Sequence, residues 1–113
     1  MKNALTAAVA LATLVSATHA SAQLPTSQVV MSNPSALVTL LTFQPGGATG
    51  RHSRIEAELG IVLEGELTLE SPTGRQTLRA GMAYWLPGLT PHDIRNEGAA
   101  PAKIWDILLR RCD

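Results

Sequence analysis

The 113-residue sequence predicts an all-β domain of the sandwich or barrel type. Three observations support this. Short apolar and β-branched runs recur along the chain, Gly- and Pro-rich turn signals separate them, and no segment carries a convincing helical period. About eight strands are expected at this spacing, with no internal repeat and no low-complexity linker.

The first 22 residues are set apart from that fold. Lys2 gives a short basic start, and the apolar run from Ala4 to Val15 is too short to span a membrane. Ala20-Ser21-Ala22 then places small residues where a signal peptidase reads, so residues 1–22 are expected to be an export signal cleaved before Gln23. The residue right after the cut is Gln23 rather than cysteine, which argues against a lipid anchor, and no later run could cross a bilayer as a helix. The mature chain, residues 23–113, is expected to be one periplasmic or secreted domain with no stable membrane anchor. A domain of this size buries about 60–65% of its unfolded surface.

Within it, residues 23–34 are expected to form an extended arm or a first edge strand. Ala36 to Gln44 is a strand that stops at Pro45-Gly46-Gly47. Leu59 to Glu70 is two strands meeting at Glu64-Gly65, and Leu67 and Leu69 alternate with polar neighbours as a half-buried strand requires. Ser71 to Gly74 turns the chain into an edge-like strand, Arg75 to Arg79. Met82 to Pro87 and Pro91 to Asn96 are two more strands across a Pro-Gly loop, and Ala102 to Arg110 is the last.

Charge and cysteine content exclude several classes. Nine basic and nine acidic side chains balance, and the basic ones are scattered, so nothing points to nucleic acid. The single cysteine, Cys112, cannot form an internal disulfide, so the core alone must hold the fold.

Only His52 and His92 remain after signal removal, 40 residues apart and each beside a Gly- or Pro-rich turn. Two histidines in matching settings raise the prospect of a shared site without deciding it. The segments around them resemble the paired motifs of the cupin superfamily. Gly46, His52, Glu58 and Gly65 keep the spacing of the first motif, G(x)5HxH(x)3,4E(x)6G, and Gly81, Pro87, His92 and Asn96 keep that of the second, G(x)5PxG(x)2H(x)3N. The gap between the motifs, residues 66–80, resembles that of compact members. The resemblance implies a double-stranded β-helix, or jelly-roll β-barrel. It also implies metal ligands at His52, Glu58 and His92, which suit Fe, Mn, Ni, Cu or Zn in the divalent state.

The chain departs from the motifs at two positions. Leu89 stands where the second motif has glycine, which is expected to alter only the turn before His92. Arg54 stands where the first motif has its second histidine, so the fourth ligand is missing, and arginine cannot replace it. If residues 52–54 are strand, His52 and Arg54 share an inward face. Arg54 then either clamps a substrate carboxylate or pairs with Glu58 in a metal-free pocket. Tyr84 and Leu86 are expected to point inward, chiefly as packing, with Tyr84 a candidate ligand contact. Trp85 should point outward, toward an edge or a dimer interface. Met82 and Trp105 are expected to pack, and Arg51, Glu56 and Asp93 to be solvated.

Two functions follow as expectations. One is an exported metalloenzyme of the dioxygenase, isomerase or lyase kind found among small cupins. The other is a metal-free module binding a small anionic or sugar-like ligand. A homodimer is expected in either case, because open sheets leave edges that need covering.

Overall fold

The computed structural model describes residues 23–111, so the proposed signal segment and Cys112 lie outside the described residues. The described chain is all β, with eight strands at the positions the turn signals delimit: β1 (Thr26–Ser32), β2 (Ala36–Phe43), β3 (Ala57–Glu64), β4 (Glu66–Ser71), β5 (Gly74–Arg79), β6 (Ala83–Leu86), β7 (Asp93–Arg95) and β8 (Ala102–Leu109). A five-stranded sheet runs β1-β2-β8-β3-β6, and a three-stranded sheet runs β5-β4-β7; the strand pairs are antiparallel.

Alternation decides which side chains meet between the sheets. In β8, Ala102, Ile104, Asp106 and Leu108 are buried while the residues between them are half-buried. In β3 the buried set is Glu58, Gly60 and Val62. Phe43, Ile104 and Val62 from the larger sheet and Leu67, Leu78 and Ile94 from the smaller side form a fully enclosed core. Each contributes about 1.5–3 kcal/mol by leaving water. Removing the Phe43 ring would cost about 3–5 kcal/mol, since the cavity left behind adds to the lost transfer energy.

Most of the expected orientations hold. Tyr84 and Leu86 face inward and Trp85 outward on β6. Residues 26–32 are the edge strand β1, whose residues are all exposed. Three expectations are corrected. Met82 is exposed rather than packed, because it sits in the turn before β6. Glu56 is half-buried, where full solvation was expected. Asp93 is buried rather than solvated: its carboxylate accepts from the Gly50 amide (3.0 Å), the Thr49 hydroxyl (3.4 Å) and the Arg95 Nε (2.8 Å).

Asn96, the last fixed position of the second motif, is structural. Its side-chain amide donates to the carbonyls of Phe43 and Ala100, and its Oδ1 accepts from Gly98, so it ties the end of β2 to the loop before β8.

Candidate functional site

Backbone pairing brings the two histidines together. His52 and His92 form an isolated antiparallel bridge, exchanging N–H···O bonds of 2.9 and 2.8 Å. Directly opposed residues present their side chains to one face, and the imidazole centroids lie 4.4 Å apart. Asp93 supports this bridge by holding the Thr49–Gly50 turn that leads into His52.

Each ring is also fixed in tautomer. His52 Nδ1 lies 2.9 Å from the Gly50 carbonyl, and His92 Nδ1 lies 2.8 Å from the Thr90 carbonyl. A carbonyl can only accept, so both Nδ1 atoms carry the proton and both Nε2 atoms of the neutral rings keep a free lone pair. His92 is almost wholly buried, and its Nε2 has no hydrogen-bond partner. That atom faces Glu58 Oε1 at 3.5 Å.

Glu58 enters from β3 and is 3% exposed. The Tyr84 hydroxyl donates to its Oε2 at 2.6 Å. Burial pushes the Glu58 carboxyl up, but the adjacent His92 imidazole and the hydrogen bond from Tyr84 outweigh it and hold the group below its ordinary range. Burial pulls His92 down, yet the Glu58 carboxylate and the Thr90 carbonyl together raise it. Tyr84 is driven well above its usual value by burial and by the Glu58 charge.

Asp106 on β8 completes the cluster, and sequence reasoning missed it. Burial and the nearby Glu58 charge push it up to about 7, against weaker pulls from Arg54 and His92. Its Oδ1 is buried without a hydrogen-bond partner. An acid in the inward phase of β8, among Ala102, Ile104 and Leu108, was the signal that could have revealed it.

A cavity of about 530 Å³ opens onto this cluster; His52, Arg54, Glu58 and Asp106 line it. His92 and Tyr84 stand behind that wall, so Tyr84 meets Glu58 rather than the open space. Residues 53–56 are not strand, contrary to the premise that placed His52 and Arg54 on one face; both reach the cavity from a loop instead. Nor does Arg54 pair with Glu58: among the described residues no ion pair involves Arg54. That loop is held to the turn before His92 by the Leu89 amide, which donates to the Arg54 carbonyl at 2.5 Å.

The three proposed metal ligands fit a divalent transition metal in kind and in tautomer, and the orphaned Nε2 of His92 is the atom such an ion would satisfy. Their closure around one point is not complete: among the described residues no three His, Cys, Asp or Glu side chains stand as a ready metal-binding group.

Comparison with known proteins agrees with this architecture. The cupin domain family Cupin_2 matches residues 39–108. The "Beta-alanine degradation protein BauB" of Pseudomonas aeruginosa is 37% identical over 78 residues, covering 66% of this chain and 80% of that protein. A cupin domain protein from Bordetella pertussis Tohama I superposes with a TM-score of 0.70 at 26% identity, over 82% of this chain and 100% of the other. A Thermus thermophilus protein superposes with a TM-score of 0.73 at 28% identity, over 79% of this chain and 86% of the other. Motif spacing, the two-sheet barrel and the family match all lead to one conclusion: this chain belongs to the cupin family.

Proposed function

We propose that this cupin holds a divalent transition metal (Fe, Mn, Ni, Cu or Zn) with His52, His92 and Glu58, and binds a small carboxylate-bearing molecule beside it through Arg54. The observation behind this reading is the buried Nε2 of His92, which has no hydrogen-bond partner and faces a carboxylate oxygen at 3.5 Å. With the Nδ1 proton committed to Thr90, a lone pair points at an anion. A cation between them relieves that repulsion. His52, locked the same way by Gly50, offers a second such lone pair on the cavity wall.

A bound metal would supply Lewis-acid polarisation of a ligand oxygen. The chain's own groups do the rest. Tyr84 fixes the Glu58 carboxylate, Thr90 and Gly50 fix the imidazoles, and Arg54 offers a forked cation to the ligand. The name of the Pseudomonas relative refers to β-alanine, itself a small carboxylate, which agrees with that ligand class. An isomerase, lyase or dioxygenase step remains part of the proposal, since one cupin site hosts many chemistries.

A second reading is favoured by the Tyr84 bond to Glu58 and by Arg54 at the fourth ligand position. Here a proton on His92 takes the metal's place, and the module binds a small anionic or sugar-like ligand without metal. Elemental analysis of protein purified without a metal-affinity tag separates the two. Near-stoichiometric metal, lost in His52→Ala and His92→Ala, supports the first. No uptake from Fe(II), Mn(II), Ni(II), Cu(II) or Zn(II) overturns it. Arg54→His should tighten metal binding by restoring the missing donor.

Export and homodimerisation belong to the same proposal. The Ala20-Ser21-Ala22 site supports export, and the mass of protein recovered from the periplasm or medium tests it. Two open sheet edges, β1 and β6 with its exposed Trp85, support a dimer, which light scattering tests.

A further inference from the structure

The cavity wall is not uniform. Strand pairing orders it: Val29 opposes Thr39, Thr39 opposes Asp106, Asp106 opposes Gly60, and Gly60 opposes Tyr84. In the adjacent inward row Leu37 opposes Leu108, and Leu108 opposes Glu58. Polarity therefore changes across the sheet. The β3 and β8 side carries Glu58 and Asp106, and the loop carrying His52 and Arg54 joins the wall there; Arg54 is close enough for its charge to bear on Asp106. The β1 and β2 side contributes Leu24, Val29, Leu37 and Leu41, interrupted only by neutral residues such as Ser27 and Thr39.

That apolar side is incompletely covered. Leu24 is 68% and Val29 61% exposed, although both line the cavity. Exposed apolar side chains grouped in a concavity with a cation near its charged end suit a ligand with two unlike ends. A polyhydroxylated molecule would leave its hydroxyls against leucine and valine without partners, at a cost for each.

We propose that the cavity takes an amphipathic acid, with its carboxylate at Arg54 and His52 and an aliphatic or aryl body laid along Leu24, Val29, Leu37 and Leu41. This inference rests on Arg54 as the anion contact, and it adds that the body of the ligand is apolar. The volume of about 530 Å³ lies within the range usual for small-molecule sites.

The test is a binding series by NMR titration of the protein with acetate, butyrate, hexanoate and glucuronate, using the chain as purified. Affinity should rise about two- to fourfold per added methylene, as burial of each CH₂ group predicts. Arg54→Gln should weaken all the acids by a similar factor and preserve that slope. Leu24→Ser combined with Val29→Ser, both at exposed positions that the fold tolerates, should flatten the slope and bring hexanoate affinity toward that of acetate. If the acids bind through Arg54 with no dependence on chain length, or glucuronate outcompetes hexanoate, the amphipathic inference is overturned while the anion contact stands. If no acid binds, or Arg54→Gln changes nothing, the anion contact itself fails and the inference falls with it.

Discussion

The ring of Tyr84 lies across Gly60. The two residues are register partners on β6 and β3, and a Cβ built at Gly60 would overlap the phenol ring. Glycine at this point in a β-rich strand is costly by propensity. Its use is steric, because the open space lets the ring cross the strand and deliver its hydroxyl to Glu58, 2.6 Å away. Gly60→Ala should push the ring aside and destabilise the fold by about 1–3 kcal/mol, the usual cost of overpacking a core. Tyr84→Phe removes only the hydroxyl and should cost about 1–3 kcal/mol through the deprived carboxylate. Urea denaturation measures both. In the Gly60→Ala/Tyr84→Ala double variant the alanine at 60 should cost much less than in the wild-type background, since its clash partner is gone.

Asp106 gives stability a distinctive pH dependence. Its folded value of about 7 lies far above the 3.8 of an ordinary aspartate. Between these values the folded chain keeps a proton that the unfolded chain has released. This contribution is therefore complete below about pH 4 and disappears as pH rises through about 7, an effect on the order of a few kcal/mol. His92, also raised, acts in the same direction as pH rises above its ordinary 6.5, whereas the lowered Glu58 acts only in acid. In EDTA-treated protein, wild type should lose thermal stability from pH 5 to 8 relative to Asp106→Asn, which has no such proton to lose. A difference curve that is flat over this range would contradict the burial-driven shift.

The contrast between Asp106 and the histidines shows what the sequence could reveal. His52, Glu58 and His92 were legible because they sit at fixed spacings within recognisable motifs, and strands were legible because turn residues punctuate them. Asp106 has no motif around it. Only the phase of β8, together with its pairing to β3 opposite Gly60, puts it near Glu58. Strand alternation puts Arg54 on the cavity side, yet residues 53–56 are not strand, and Arg54 reaches the cavity through the loop after the His52–His92 bridge. The sequence around Asp93 points to solvent, because an acid in a turn-rich stretch ordinarily meets water. Here the orphan donors of the Thr49–Gly50 turn needed an acceptor.

Asp93 should accordingly behave as a positioning residue for His52. Its carboxylate holds the Gly50 amide, and the Gly50 carbonyl holds the His52 ring. Asp93→Ala leaves those donors unpartnered and should cost about 1–3 kcal/mol in denaturation. Asp93→Asn keeps one acceptor oxygen for Gly50 and should recover much of the loss. If the site holds metal, affinity should fall by up to about tenfold in Asp93→Ala, at the low end for orienting partners. The His52 Nδ1–H resonance, slowed by its bond to Gly50, should exchange faster in the same variant.

Leu89 is where the second motif's glycine is replaced, and the backbone there still adopts the glycine conformation. Its φ is +63°, the only positive value at a non-glycine position among the described residues. A left-handed conformation costs an L-residue about 1–2 kcal/mol. Leu89 is 67% exposed, so burial offsets little of this. The turn is nevertheless held from both sides. The Leu89 amide donates to the Arg54 carbonyl, and a Cβ at Gly88 would overlap the carbonyl oxygen of Ile55. Leu89→Gly should therefore stabilise the protein by about 0.5–1 kcal/mol after the larger entropy loss of glycine is subtracted. Gly88→Ala should do the opposite, forcing the turn away from residues 54–55 and carrying Arg54 with it. Thermal melts of the two variants should move in opposite directions. Only Gly88→Ala should also weaken acid binding, because only it disturbs the loop that presents Arg54 to the cavity.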